Sequence, residues 1–79
     1  MPDHLMVPPG TRQQIAALPD HLRKLVFEVI LLLLEQPRPP GARPYPGVAD
    51  MYWLELDEVT IYYNAYGDTI IVQQVVIND

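Results

Sequence analysis

Three acidic side chains near the middle of the chain have the chemistry for acid–base work. Glu55, Asp57 and Glu58 lie within four positions of one another, and in an extended strand Glu55 and Asp57 would share a face about 6–7 Å apart. Two carboxylates at that spacing can form a general-acid pair or bind a divalent cation. A solvated face beside a turn is the commoner role of such a group, and we expect that role here.

Histidine and cysteine usage argues against a metal site or a nucleophilic enzyme. The chain has two histidines, His4 and His21, and no cysteine. The histidines are too isolated to form a set of metal ligands, so we expect surface or capping positions for both. A chain without cysteine has neither disulfides nor thiolate sites, which suits a cytoplasmic protein. The sequence therefore predicts no metal and no other cofactor.

The charged residues are divided unevenly along the chain. Positions 1–47 contain all five basic residues and four acidic ones, a net charge of +1, whereas positions 48–79 contain six acidic residues and no Lys or Arg, a net charge of −6. No histidine lies in this acidic half either. Because RNA and DNA binding draws on Lys and Arg that neutralise phosphates, a nucleic-acid partner is not expected.

The spacing of apolar residues predicts two helices in the first half of the chain. A short helix covers Arg12–Leu18, with Thr11 as its N-cap and Pro19 as its stop. A longer helix begins at Asp20 and ends before Pro37. The apolar residues that recur at helical spacing in it are Leu22, Leu25, Val26, Val29, Ile30, Leu33 and Leu34.

Six consecutive apolar residues, Val29–Leu34, make the end of the longer helix apolar nearly all round. Glu28 and Glu35 bracket this run, which is far shorter than the roughly 20 residues that span a bilayer. We expect the helix to pack on the first helix and on a sheet. The alternative is an outer stripe that contacts another chain, as in a homodimer. Positions 1–7 contain Asp3 and His4 and do not resemble a secretory leader, so we expect no membrane association.

A proline-rich segment separates the helices from the rest of the chain. Positions 36–49 contain five of the nine prolines, and proline fixes φ and lacks a donor, so neither a helix nor an internal strand is expected there. We expect a stiff connector. The alternative is a polyproline-type ligand for an aromatic groove.

Positions 51–57, 59–66 and 69–77 have the period-two pattern of β-strands, with turn residues between them. Three strands joined by tight turns form an antiparallel meander, to which positions 4–7 could add an edge strand. The sequence therefore predicts one α+β domain over positions 1–79, in which a helical hairpin packs on a three- to four-stranded antiparallel sheet.

Alternation assigns the faces of the first two meander strands. The residues expected in the core are Leu54, Leu56, Val59, Ile61, Tyr63 and Ala65. The opposite face is aromatic, polar and acidic, and its partner-binding candidates are Trp53, Glu55, Thr60, Tyr62 and Tyr66. In the last strand Gln73 and Gln74 fall on opposite parities, so its facing cannot be assigned from the pattern.

The order of these elements and three short motifs resemble the RelE/ParE superfamily of toxins from type II toxin–antitoxin systems. The motifs are LPDHLRK at positions 18–24, QPRPPGAR at positions 36–43 and VTIYY at positions 59–63. The resemblance covers nearly the whole chain and implies a two-layer α+β fold, a cognate antitoxin as partner and, for RelE-type members, mRNA cleavage on the ribosome.

The resemblance also implies basic residues on the open sheet face that grip RNA and stabilise the transition state. Their positions correspond to Trp53, Glu55 and Thr60, and a further family arginine follows the last strand, where this chain has Asn78 and Asp79. Arg43, a candidate loop contact, is the only basic residue near such a position. The chain therefore departs from the RelE pattern at the positions that carry catalysis.

Two classes of function follow from these observations. The first is a toxin-family protein that acts by binding proteins, namely an antitoxin and a gyrase-type or other cellular target, because aromatic residues dominate the energy of protein interfaces. The second is a ribosome-dependent endoribonuclease, which needs a base near the 2′-hydroxyl and fixed positive charge on the phosphate. A non-toxic regulatory or structural relative is a third alternative. We expect the first, and no enzyme activity.

Overall fold

The computed structural model describes residues 4–78, and this range contains two helices and a five-stranded sheet. The helices are α1 (Pro9–Ala16) and α2 (Asp20–Glu35). The strands are β1 (His4–Met6), β2 (Arg43–Pro44), β3 (Met51–Glu55), β4 (Val59–Tyr66) and β5 (Thr69–Ile77).

The strands are arranged in the order β1-β5-β4-β3-β2. The antiparallel meander of β3, β4 and β5 is confirmed. The predicted number of strands and the wholly antiparallel sheet are wrong, because β2 adds a fifth strand and β1 pairs with β5 in parallel. The edge strand proposed at positions 4–7 is present as β1, whereas β2 has only two residues, one of them Pro44, and so has no readable period-two pattern. The direction of β1 is set by contacts between opposite ends of the chain, about which a local pattern says nothing.

Helix α2 confirms the predicted long helix, whereas α1 differs from its predicted bounds. It begins at Pro9, whose fixed φ suits the first turn of a helix. Thr11 therefore lies inside the helix and is not its N-cap. Its side chain is buried, and Oγ1 donates a hydrogen bond to the Gln73 carbonyl oxygen at 2.7 Å. A neighbouring side chain, Gln14, accepts a hydrogen bond from the Val75 N–H at 3.0 Å. Helix α1 thus covers the part of the β5 edge that β1 leaves open.

The core lies between α2 and one face of the sheet. The buried residues of α2 and those of the meander form one hydrophobic cluster, in which Val26 and Leu33 are fully buried. The predicted core residues are buried, except that Leu56 is half-buried. The meander residues in this cluster are Leu54, Val59, Ile61, Tyr63, Ala65, Ile70, Val72 and Val75.

A β-bulge in β5 explains why its facing could not be assigned from sequence. Tyr62 pairs with Gln74 and Tyr63 with Val72, so Gln73 is an extra residue in the ladder. The alternation shifts by one residue there, which allows Val72 and Val75 to reach the same buried face.

The proline-rich connector is anchored to the helix-covered side of the sheet. The Tyr63 hydroxyl donates a hydrogen bond to the Pro37 carbonyl oxygen at 2.8 Å, and burial raises the pKa of Tyr63 to about 12. Arg38 donates from Nε to the Tyr52 hydroxyl at 2.6 Å, with its Cζ 5.2 Å from the centre of that ring. The Tyr52 and Tyr63 rings stack at 5.8 Å. These contacts fix the position of the connector and therefore the place where β2 joins the sheet.

Candidate protein-binding face

The face of the sheet opposite the helices, called the open face here, contains four of the five predicted partner-binding candidates in two rows. Trp53 on β3 lies beside Tyr62 on β4, and Tyr62 lies beside Gln74 on β5. Glu55 and Thr60 form the neighbouring pair. Cross-strand neighbours on one face are close enough for their side chains to touch, so the register itself assembles the site.

Three aromatic rings and one guanidinium pack together on the open face. The Trp53 and Tyr62 rings are nearly parallel, at 13°, with centroids 6.4 Å apart. Tyr45 meets the Tyr62 ring edge-on at 6.1 Å. The Cζ atom of Arg43 lies 5.2 Å from the centre of the Trp53 ring, at cation–π distance. We call these four residues the aromatic cluster.

The aromatic cluster borders a depression of about 420 Å³. Its wall consists of three aromatic side chains, Arg43 and two prolines of the connector. Such a recess suits a flat or apolar side chain of a partner, which it would hold between rings that already pack against each other. The lining residues are Arg43, Pro44, Tyr45, Pro46, Trp53 and Tyr62.

Tyr45 and the two prolines are site residues that sequence reasoning missed. They reach the open face because Arg43 pairs with Trp53 and Pro44 with Tyr52 across β2 and β3. A two-residue strand inside a proline-rich segment gives no periodic signal. Arg43, by contrast, is a predicted loop contact, and its guanidinium lies over the Trp53 ring of the site.

The charge of the open face comes from few groups. Across the five described strands, Arg43 is the single Lys or Arg and Glu55 the single acidic residue. Glu55 is exposed at the end of β3, and Asp57 and Glu58 follow it in the turn. Asp57 lies beyond the end of the strand, so the predicted sharing of a strand face with Glu55 is wrong. The chain bends after Glu55, and the strand pattern ends there.

Thr60 makes its hydrogen bond within the chain. It is only 5% exposed, and its Oγ1 donates to Asn78 Oδ1 at 2.6 Å. Asn78 in turn donates from Nδ2 to the Leu56 carbonyl oxygen at 2.8 Å and from its backbone N–H to the Glu58 carbonyl oxygen, also at 2.8 Å. Asn78 therefore clamps the β3–β4 turn to the end of β5. Asp79 lies outside the described residues.

Tyr66 is separated from the aromatic cluster. It is exposed and pairs with Thr69 at the far end of β4. Tyr66 is four positions further along the strand than Tyr62, a distance of about 13 Å. The open face thus brings together two of the three predicted aromatic candidates, Trp53 and Tyr62.

Both histidines lie beside single carboxylates on the surface. His4 Nε2 is 3.6 Å from Asp68 Oδ2, because β1 carries His4 back to the sheet, and His21 Nε2 is 3.1 Å from Glu58 Oε2. Within residues 4–78 no three His, Asp or Glu side chains are grouped so that they could hold a metal ion. Neither helix of that range is long and apolar enough to cross a membrane.

Comparison with known proteins gives matches by structure alone. No family model and no curated protein matches the sequence. The isolated RelE toxin of E. coli superposes with a TM-score of 0.83 and 18% identity, over 96% of this chain and 84% of that one. A RelBE toxin–antitoxin complex from Mycobacterium tuberculosis gives 0.83 and 16%, over 99% and 100% of the two chains.

The RelB–RelE antitoxin–toxin complex from Methanococcus jannaschii is also similar in structure, with a lower TM-score. Its TM-score is 0.72 at 18% identity, over 91% of this chain and 88% of that one. The chain therefore has the RelE-like fold, as the sequence motifs predicted.

Proposed function

We propose that this chain is the toxin-fold member of a toxin–antitoxin pair and that it acts by binding proteins through its open face. The solved proteins that share its fold include complexes of RelE-type toxins with RelB-type antitoxins. The observation that carries the proposal is the aromatic cluster, which includes Arg43, lies next to a recess and has Glu55 two positions beyond Trp53 on the same strand. A cytoplasmic antitoxin is the first partner, and a cellular protein target would use the same face.

The chemistry of the open face defines the partner segment that fits it. Aromatic side chains that are already packed lose little conformational entropy on binding, which makes Trp53 and Tyr62 suitable anchors. Glu55 and the acidic turn after it would attract Lys or Arg at the rim. The expected partner segment therefore has an apolar or aromatic side chain for the recess and basic residues near it.

The same face has little of what RelE-type RNA cleavage requires. Phosphodiester cleavage needs positive charge held against the phosphate and a group that takes the 2′-hydroxyl proton. At the positions that the resemblance assigns to basic residues, this chain has Trp53, Glu55 and Thr60, and the Thr60 hydroxyl is hydrogen-bonded to Asn78. These features support a protein that binds without cleaving mRNA.

One observation favours the nuclease alternative. Arg43 over the Trp53 ring, next to the recess, has the form of a base-stacking platform with a cation beside it. A single cation offers weak retention of an RNA backbone, because salt-dependent affinity grows with the number of neutralised phosphates. This alternative, like that of a non-toxic regulatory or structural relative, is separated from the proposal by the following experiment.

The test is induction of the chain alone and together with the protein encoded next to it in the genome. Growth and transcript integrity are followed in parallel. Arrested growth with intact transcripts, relieved by the neighbouring protein, is the expected result. Transcripts cut after induction, or ribosome-bound mRNA cut by the purified chain, would replace the proposal with the nuclease. Unimpaired growth, with no binding of the protein encoded next to the chain, would support the non-toxic relative.

Pull-down of the full chain from its native host tests the partner directly. Trp53→Ala should lose the bound antitoxin, whereas Phe27→Ala, which removes an exposed aromatic ring from α2, should retain it. Equal recovery with both variants would contradict the open face as the binding surface.

A further inference from the structure

The side of α2 that faces away from the sheet carries three exposed apolar side chains. Phe27 is 52%, Leu31 64% and Leu32 38% exposed. Phe27 and Leu31 are one helical turn apart, so their side chains are neighbours on the helix surface. An exposed apolar patch that is rimmed by polar residues is typical of an association surface.

Charged residues border the apolar group at both of its ends. Lys24 and Glu35 are eleven positions apart, which places them on nearly the same line along the helix and about 16 Å from each other. Glu28 lies between them and is exposed. We call Lys24, Phe27, Glu28, Leu31, Leu32 and Glu35 the outer stripe.

The charges of the outer stripe have no ion-pair partner within residues 4–78. The α2 macrodipole also disfavours Glu35, because this carboxylate lies at the carboxyl end of a helix with no basic residue in its last turn. A cation from another molecule at that position would offset both the dipole and the charge of Glu35.

The outer stripe is complementary to itself when it is reversed. If a second copy of α2 lies antiparallel, Lys24 faces Glu35 of the second copy and Glu35 faces its Lys24. In the same arrangement Phe27 meets Leu32 of the second copy, and Leu31 meets Glu28, so the charge complementarity lies at the two ends of the stripe. A parallel arrangement would instead place Lys24 against Lys24 and Glu35 against Glu35, which is repulsive. The charge order therefore favours the antiparallel orientation, and the matching ends of the stripe make a second copy of this chain a fitting occupant.

We propose that the chain forms a two-fold symmetric homodimer in which the outer stripes of two α2 helices pack antiparallel. A two-fold interface uses the same patch on both molecules, which is the property that this stripe has. The proposal goes beyond the function proposed above and does not depend on it, since the outer stripe and the open face lie on opposite sides of the molecule. Both surfaces can be occupied at once.

The experiment is sedimentation velocity of the purified full chain over a concentration series at near-physiological salt. We expect a reversible monomer–dimer equilibrium for the natural sequence. Lys24→Glu places Glu against Glu35 of the second copy, and Glu35→Lys places Lys against Lys24. Each single change alters both symmetric contacts at once and should weaken the dimer by about tenfold or more.

Two restorations follow from the antiparallel geometry. The double variant Lys24→Glu with Glu35→Lys should recover the dimer, because each opposite-charge contact is re-formed with its signs exchanged. An equimolar mixture of the two single variants should also dimerise, as a heterodimer. Asp57→Lys, which adds the same charge change as Glu35→Lys in the exposed β3–β4 turn, is the matched control and should leave the dimer unchanged.

Several results would overturn the proposal. A natural chain that stays monomeric over the whole series means that the stripe is unoccupied or serves a different partner. A dimer that ignores both single charge changes uses another surface, and single changes that weaken it without restoration by the double variant exclude the antiparallel contact. Leu31→Glu is an independent check on whether the dimer uses the outer stripe. Because Leu31 is exposed, the charge should not disrupt the fold, which circular dichroism would verify.

Discussion

The open face and the outer stripe of α2 both expose apolar side chains, but the two surfaces are built differently. On the open face, the Tyr62 ring packs against both Trp53 and Tyr45, and Arg43 lies over the indole ring. On the outer stripe, Phe27 and its neighbours project from a single helix, and the stripe's charged groups have no ion-pair partner among the described residues.

The difference concerns how much order each surface has before a partner arrives. Side chains that are already packed lose less entropy on binding, so more of the contact energy appears as affinity. We therefore expect tight binding to a partner protein at the open face and weaker self-association at the outer stripe. The predictions below test that contrast.

The largest expected effect is the loss of partner binding in Trp53→Ala. Removing the central ring of the aromatic cluster should cost about 2 kcal/mol or more of binding free energy, since buried aromatic anchors dominate such interfaces. The indole of Trp53 is only half-buried, so its removal should change the free energy of unfolding little. Titration calorimetry with the proposed antitoxin partner measures the effect, and unaltered affinity would contradict the open face as the binding surface.

The next effect concerns Tyr63, which anchors the connector on the side of the sheet opposite the open face, and it depends on pH. Burial raises the pKa of Tyr63 to about 12, above its usual value of 10.0. The neutral phenol is thus favoured in the folded state, so its contribution is complete below pH 10 and is lost as the pH rises towards 12.

The expected loss is up to about 2 kcal/mol of unfolding free energy over that interval. Tyr63→Phe should be less stable at neutral pH, because the hydrogen bond to Pro37 is absent, and should show a shallower decline above pH 10. Urea unfolding at fixed pH values gives both curves. Parallel curves for the two proteins would show that Tyr63 does not cause the pH dependence.

A smaller effect is expected where Asn78 closes the β3–β4 turn. Asn78→Ala removes the hydrogen bonds with Thr60 and Leu56 and should reduce the unfolding free energy by about 1–2 kcal/mol. Amide exchange should quicken around Leu56 and Glu58 while the aromatic cluster stays protected. Faster exchange throughout the sheet would mean that the clamp acts globally and not on the turn.

The smallest effect is expected on the outer stripe. Leu31→Gln should change the unfolding free energy of the monomer by no more than about 0.5 kcal/mol, because this side chain is 64% exposed. Leu33→Ala, two positions away and fully buried, should cost about 2–5 kcal/mol. Thermal unfolding at concentrations below dimer formation makes the comparison, and a large loss in Leu31→Gln would show that the stripe packs within its own chain.

Elements with long periodic patterns were predictable from sequence. The apolar spacing from Leu22 to Leu34 predicts α2, and the alternation in β3 and β4 assigns Leu54 and Ile61 to the core and Trp53 and Tyr62 to the open face. Both patterns depend only on local geometry, 3.6 residues per helical turn and two per pleat. The RelE-like fold was likewise predictable from three motifs and their order.

Other features depend on contacts between distant parts of the chain. No local rule indicates that His4–Met6 pairs in parallel with β5, that Gln73 forms a bulge, or that Arg43 and Tyr45 complete a site around Trp53 and Tyr62. Each of these features involves segments at least nine residues apart in sequence. Their energies arise only when the segments meet.

The sequence by itself determined the two-layer α+β arrangement, the sorting of the β3 and β4 residues between core and open face, and the acidic character of the second half. The tertiary structure alone decided the fifth strand, the parallel edge and the membership of the aromatic cluster. The physical reason is that periodicity reports which side of an element is buried, whereas pairing and register are decided by the packing of whole elements against one another.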